Sequence, residues 1–60
     1  MIQTDMTLDQ VMTMLGKYDD VDWDEEKQYY IYSWIDIEEK IFFEIIIKNG
    51  RVINKNLYNH

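Results

Sequence analysis

The sequence predicts an α+β domain in which one short N-terminal helix packs on a three-stranded antiparallel β-meander. Three observations lead to this prediction: helix start and stop signals in residues 7–16, two later runs rich in Tyr, Ile and Phe, and Asn49-Gly50 near the C-terminus. Asn-Gly is the strongest short hairpin signal, because both residues tolerate the positive φ of a type I′ turn. Sixty residues make one small domain, which we assign to residues 1–60.

The helix is expected over about residues 8–15. Thr7 can be its N-cap, with Gln10 as the reciprocal partner of a capping box, and Gly16 can end it. Met6, just before the cap, can complete a hydrophobic staple with Val11. The apolar face has helical spacing and must dock on the sheet, since two turns of helix are unstable alone; its residues are Leu8, Val11, Met12 and Leu15. Residues 1–6 are expected to be a frayed lead-in.

Three strands are expected, over residues 28–37, 41–48 and 52–58, with a weaker turn at Glu38-Glu39. Two-residue turns fix the register of both hairpins. The first hairpin should pair Tyr30 with Ile47, Tyr32 with Ile45, and Trp34 with Phe43. The second should pair Lys48 with Arg51, Ile47 with Val52, Ile46 with Ile53, Glu44 with Lys55, and Phe42 with Leu57. Glu44 and Lys55 would then form a cross-strand ion pair.

Period-2 alternation sorts the sheet into two faces. The face that should lie under the helix carries Tyr30, Tyr32, Trp34, Ile41, Phe43, Ile45, Ile47 and Val52. The opposite face would expose six large apolar residues, which we interpret as an interface with a second copy of the chain or, alternatively, with the target: Ile31, Ile35, Phe42, Ile46, Ile53 and Leu57. Alternatively, strand twist and charged side-chain stems cover these residues, or the register is off by one.

Residues 19–26 are expected to be an acidic loop that docks onto a basic protein surface, with charges that steer and an aromatic ring that anchors. Its partner-binding residues would be Asp19, Asp20, Asp22, Trp23, Asp24, Glu25 and Glu26. Alternatively the loop is merely solvated, and Trp23 folds back over the edge of the core. The spacing of three aspartates is that of a calcium-binding EF-hand loop, but Glu25 stands where that loop needs glycine and Ile31 where it needs a bidentate glutamate. We therefore expect no bound metal or cofactor.

Charge and composition narrow the function classes. The formal net charge of −6 disfavours direct binding to nucleic acid or to an anionic membrane. Cysteine is absent, and no apolar run reaches transmembrane length. Ser33 is the one serine and His60 the one histidine, so no nucleophile has a partner base and we expect no enzyme. The N-terminus lacks the pattern of a signal peptide, so we expect a complete, cytoplasmic protein.

Four segments resemble the SmpA/OmlA domain of BamE-type lipoproteins, and the related β-lactamase-inhibitor-like domains share the layout. These segments are Met6-Thr7-Leu8-Asp9-Gln10-Val11, Met14-Leu15-Gly16-Lys17, Tyr30-Ile31-Tyr32 and Ile46-Ile47-Lys48-Asn49-Gly50-Arg51-Val52. The chain departs from that family at Tyr18, where the family usually has proline, and in having no lipid-bearing cysteine. The resemblance implies a helix-on-sheet fold that binds proteins and has no enzymatic residues.

Taken together, the sequence predicts a non-catalytic protein-binding module. Residues with AT-rich codons are abundant and alanine and proline are absent, which indicates an AT-rich genome such as that of a low-GC bacterium, its phages or its plasmids. We therefore expect a phage or mobile-element antagonist that blocks a host protein sterically in the host cytoplasm. The alternatives are a BamE-like structural or assembly domain and an acidic mimic of nucleic acid.

Overall fold

A computed structural model describes residues 3–59. One helix lies on one open, fully antiparallel four-stranded sheet whose order is β1-β2-β3-β4. The elements are α1 Leu8–Leu15, β1 Asp20–Asp24, β2 Tyr29–Asp36, β3 Ile41–Lys48 and β4 Arg51–Asn59. The domain is α+β, but the expected three-stranded meander is wrong, because part of the expected acidic loop is a fourth strand.

Strand β1 exists because residues 20–24 alternate strictly between aspartate and an apolar residue. This alternation is the pattern of a half-buried strand, and it places Val21 and Trp23 on one face of the sheet. Aspartate is depleted in strands, so the amino-acid composition of this segment does not indicate a strand. A short turn then reverses the chain, and Gln28 in this turn has a φ of +61°. The Gln28 N–H donates to the Asp24 carbonyl at 2.8 Å.

The structure confirms the predicted start and end of the helix. Thr7 Oγ1 accepts the Gln10 N–H at 3.3 Å, and Gln10 Oε1 accepts the Thr7 N–H at 2.9 Å. Gly16 ends the helix with φ +82°, a conformation that costs little only without a Cβ. The Trp34 indole N–H donates to the Gly16 carbonyl at 3.0 Å and so ties this end to the sheet.

The hydrophobic core lies between α1 and the face of the sheet that was expected to lie under it. Its buried members are Val11, Trp34, Ile45, Ile47 and Val52. Partly buried side chains surround them: Met6, Leu8, Met12, Tyr18, Tyr32 and Phe43. The expectation that the helix covers this face is confirmed.

Residues 3–6 are not the frayed segment that we expected, since they are bonded to the start of β4. The Asp5 N–H donates to the Val52 carbonyl at 2.9 Å, and the Val52 N–H donates to the Met6 carbonyl at 2.8 Å. The Arg51 guanidinium donates to the Asp5 carbonyl at 3.1 Å. The rest of that expected lead-in, Met1 and Ile2, lies outside the described residues.

The β2–β3 register is the predicted one, with Trp34 opposite Phe43 and Tyr32 opposite Ile45. The turn is wider than the two residues expected at Glu38-Glu39, because β2 ends at Asp36 and β3 begins at Ile41.

The β3–β4 register is correct for only two pairs. Lys48 lies opposite Arg51 and Ile47 opposite Val52, but the register then shifts by one residue. The expected pairs Ile46–Ile53, Glu44–Lys55 and Phe42–Leu57 are wrong, and the observed pairs are Ile46–Asn54, Glu44–Asn56 and Phe42–Tyr58. One extra residue in β4, a β-bulge, accounts for the shift.

The shift also exchanges the two faces of β4. Leu57 now lies opposite Phe43, on the helix side of the sheet, and Tyr58 takes its place on the other side. Lys55 lies opposite Ile45 instead of Glu44, so the predicted cross-strand ion pair has no basis in the register. The bulge adjoins Val52, whose N–H and carbonyl are both held by the segment before the helix. That contact is tertiary, and no local pattern predicts it.

Candidate partner-binding site

The predicted partner-binding residues lie along β1, at one edge of the sheet, and the strand divides them between two faces. Asp20, Asp22 and Asp24 lie opposite Ser33, Ile31 and Tyr29 and share the face away from the helix. Val21 and Trp23 lie opposite Tyr32 and Tyr30, on the helix side. The acids and the tryptophan are therefore not one loop cluster, but they flank the same edge.

The three aspartates form a regular row. Residues two apart on a strand are separated by about 6.6 Å, so the row spans about 13 Å. Asp20 Oδ1 accepts the Val21 N–H at 2.9 Å, and Asp22 Oδ1 accepts the Trp23 N–H at 3.0 Å. The Ser33 carbonyl and the Ile35 N–H both point towards β1. By the alternation of an antiparallel ladder, the Val21 and Trp23 N–H groups therefore lie at the open edge, where these carboxylates occupy them. They fix the row in place and hinder pairing of another strand with this edge.

The other acids of the segment have different positions. Asp19 has a structural role, since its Oδ2 accepts the Ile35 N–H at 2.7 Å and its N–H donates to the Ser33 carbonyl at 2.8 Å. Glu25 and Glu26 lie in the turn after β1 and are exposed. The structure therefore places three of the six predicted acids in one row, two in the turn at the end of that row, and one just before β1, hydrogen-bonded to β2.

On the helix side, aromatic rings extend beyond the area that the helix covers. Trp23 and Tyr30 are 44% and 46% exposed, and their ring centroids are 4.6 Å apart. The Tyr30 ring is followed by Tyr32 at 6.0 Å, which meets Tyr18 at 4.8 Å. Trp23 neither extends freely nor folds over the core: it lies on Tyr30 with nearly half of its surface in water.

An open groove of about 440 Å³ runs beside these rings, towards the turn between β3 and β4. Its lining includes Leu8, Trp23, Tyr30, Tyr32 and Gly50. Burial raises the pKa of the Tyr32 hydroxyl, and the neighbouring hydroxyls of Tyr18 and Tyr30 raise it further. Among the described residues that line the groove, Lys48 is the only one of a charged type. The surface suits an aliphatic or aromatic side chain of a partner.

The face away from the helix retains four of the six residues predicted for a dimer interface. Ile31 and Phe42 are half-buried, Ile46 is 9% exposed and Ile35 is 48% exposed. Tyr58, which the sequence reasoning missed, joins them, with its ring 5.7 Å from that of Phe42. The missed signal is the bulge, which moves Leu57 to the other face, while Ile53 stays half-exposed beside the bulge.

Residues 3–59 contain no group of three or more acidic, histidine or cysteine side chains placed to hold a metal ion. Ser33 is 9% exposed, inside the sheet. None of the helices in that range has the length and apolar character to cross a bilayer.

No protein-family model, curated protein or solved structure matches this chain. The resemblance to BamE-like domains therefore stays a prediction.

Proposed function

We propose that this protein is a non-catalytic module that binds a protein with a basic surface through the β1 edge. The observation that supports the proposal is the row of Asp20, Asp22 and Asp24 beside the half-exposed rings of Trp23 and Tyr30. Interface hot spots combine a large aromatic side chain with surrounding polar groups. Here the ring and the charges flank one strand, so a partner that closes around the edge contacts both.

The negative charge of this edge indicates that the partner surface is positively charged. The whole chain carries a formal charge of −6, and three carboxylates within about 13 Å concentrate part of that charge at one edge. Such a row attracts Lys and Arg clusters and raises the rate of encounter, an effect that falls with ionic strength. The bound β1 edge would cover the partner's basic site, so inhibition by steric blocking is the proposed mechanism. The AT-rich residue usage is consistent with a phage or mobile-element antagonist that acts in the host cytoplasm.

The test compares two triple variants in a capture experiment from host lysate, followed by a purified binding assay with the captured protein. The first variant, Asp20→Asn with Asp22→Asn and Asp24→Asn, removes three charges but keeps an oxygen acceptor at each position. The control removes the same number of charges from the β2–β3 end, as Asp36→Asn with Glu38→Gln and Glu39→Gln.

We expect the first variant to lose most of the binding and the control to keep it. Binding that both variants keep in full would contradict a role for the β1 row. Loss of binding in both would mean that only net charge matters. A captured protein of the cell envelope, bound equally by both variants, would favour the BamE-like alternative.

A second candidate, an acidic mimic of nucleic acid, is favoured by the regular interval of the aspartate row. A phosphate backbone also presents negative charges at a constant spacing. This candidate predicts that the captured partner is a DNA- or RNA-binding protein and that an oligonucleotide competes for the same site. An oligonucleotide that leaves the complex undisturbed would count against mimicry and leave the protein-binding proposal in place.

A further inference from the structure

The two edges of the sheet are built differently. The β1 edge is five residues long, carries three aspartates and has backbone donors occupied by two of them. Strand β4 has nine residues, from Arg51 to Asn59, and residues 53–58 contain a single charge, on Lys55. Charged side chains and short length are the features that protect an edge from pairing. In β4 the Lys55 N–H is likewise held, by Asn54 Oδ1 at 2.8 Å, so by this criterion β1 is protected along its length, whereas the positions of β4 after Lys55 are not.

We propose that residues 56–58, near the C-terminal end of β4, pair antiparallel with the same residues of a second copy, giving a two-fold symmetric dimer with one continuous eight-stranded sheet. Within residues 3–59, the backbone hydrogen bonds between β4 and the segment before the helix are made at Val52, so this segment leaves the later positions uncovered. Leu57 is 63% exposed and Tyr58 47% exposed. Apolar side chains at an open edge are what such pairing buries.

Charge separation favours the edge over the face as the contact. Adjacent strands lie about 4.8 Å apart, so pairing at β4 places the two β1 strands seven intervals apart, or roughly 33 Å. That distance is several times the Debye length of about 10 Å at 0.1 M salt. Sheets that stack face to face are about 10 Å apart, and the aspartate row lies on the face away from the helix. Stacking through that face would therefore bring two acidic rows close together.

The β4 segment is also self-complementary. If the two-fold axis passes at Leu57, each Asn56 meets Tyr58 of the partner subunit, and no like charges are directly opposite. The contact is small beside the roughly 1,600 Å² of a standard interface, so we expect a reversible dimer. The two β1 edges would then lie at opposite ends of the dimer, each able to bind a partner.

The experiment is sedimentation equilibrium of the full chain over a wide range of concentration, at low and high salt. We expect the mass to rise from 7.4 kDa towards twice that value, with little dependence on salt. Leu57→Lys should hold the protein at monomer mass, because two lysines would meet at the axis. The matched control, Ile35→Lys, adds the same charge at a residue that is 48% exposed on the face away from the helix and should still dimerise.

Circular dichroism of both variants verifies that the fold is kept. A wild-type chain that stays monomeric at every concentration would overturn the proposal. A dimer that Ile35→Lys abolishes and Leu57→Lys preserves would also overturn it, and would establish the face predicted from the sequence instead. None of these outcomes depends on the partner bound at β1, so they leave the proposed function to its own test.

Discussion

Removing a single methylene from Ile45 tests the position of the core. Ile45 is fully buried, at 0% exposure, between α1 and the sheet, whereas Ile37 in the β2–β3 turn is 85% exposed. Ile45→Val should lower the free energy of unfolding by about 0.5–1.5 kcal/mol, through lost burial and a small cavity. Ile37→Val makes the same chemical change but loses only about a tenth of a kcal/mol, because little of that side chain is removed from water on folding.

The difference is large for so small a domain. At about 0.05–0.15 kcal/mol per residue, total stability is roughly 3–9 kcal/mol, and each 1 kcal/mol shifts Tm by about 4–8 °C in a chain of this size. Thermal and urea unfolding of both variants, followed by far-ultraviolet circular dichroism, measures the two changes. Equal losses, or a larger loss for Ile37→Val, would refute this description of the core.

Two further predictions concern the helix cap and the aromatic row. Thr7→Ala removes a capping-box acceptor and should lower the free energy of unfolding, measured in urea, by about 0.5–2 kcal/mol. Thr13→Ala is a matched change inside the helix and should not destabilise the protein, because alanine is the better helix former. A loss for Thr13→Ala as large as that for Thr7→Ala would contradict the role of the cap. The pKa of Tyr32 is raised by burial and then by Tyr18 and Tyr30, so the folded state holds this proton more tightly than the unfolded state does. The contribution of Tyr32 to stability should therefore be constant below the unfolded pKa of about 10 and be lost as pH rises through the folded value. Unfolding experiments across alkaline pH should show this decline weakened in Tyr32→Phe, and an unchanged decline would show that other groups cause it.

Local signals predicted the helix and the turn of the last hairpin. The capping box and Gly16 act within one or two turns of chain, and Asn49-Gly50 fixes its own two flanking pairs. These features depend on residues near each other in sequence, so a single sequence is enough to predict them.

Tertiary contacts decided what the sequence did not show. The bulge in β4 adjoins Val52, which is held by Asp5 and Met6 from the far end of the chain. Strand β1 forms because Val21 and Trp23 find Tyr32 and Tyr30 across the ladder, and this outweighs the poor strand propensity of aspartate. The alternation in residues 20–24 was the signal for this strand, and their high charge concealed it. As a result, the sequence predicted one loop for acids that the structure divides among a row on one face of β1, the turn after β1 and the residue before it.

The pairing of β1 with β2 is the central claim, because the aspartate row and the exposed rings both depend on it. Proton NMR tests it directly. Val21–Tyr32 and Trp23–Tyr30 are the pairs of this ladder that do not exchange backbone hydrogen bonds, so their Cα atoms should be only about 4.5 Å apart. We predict strong Hα–Hα cross-peaks for both pairs, and their absence in a sample that shows the β2–β3 cross-peaks would mean that residues 20–24 form a loop and that no row exists.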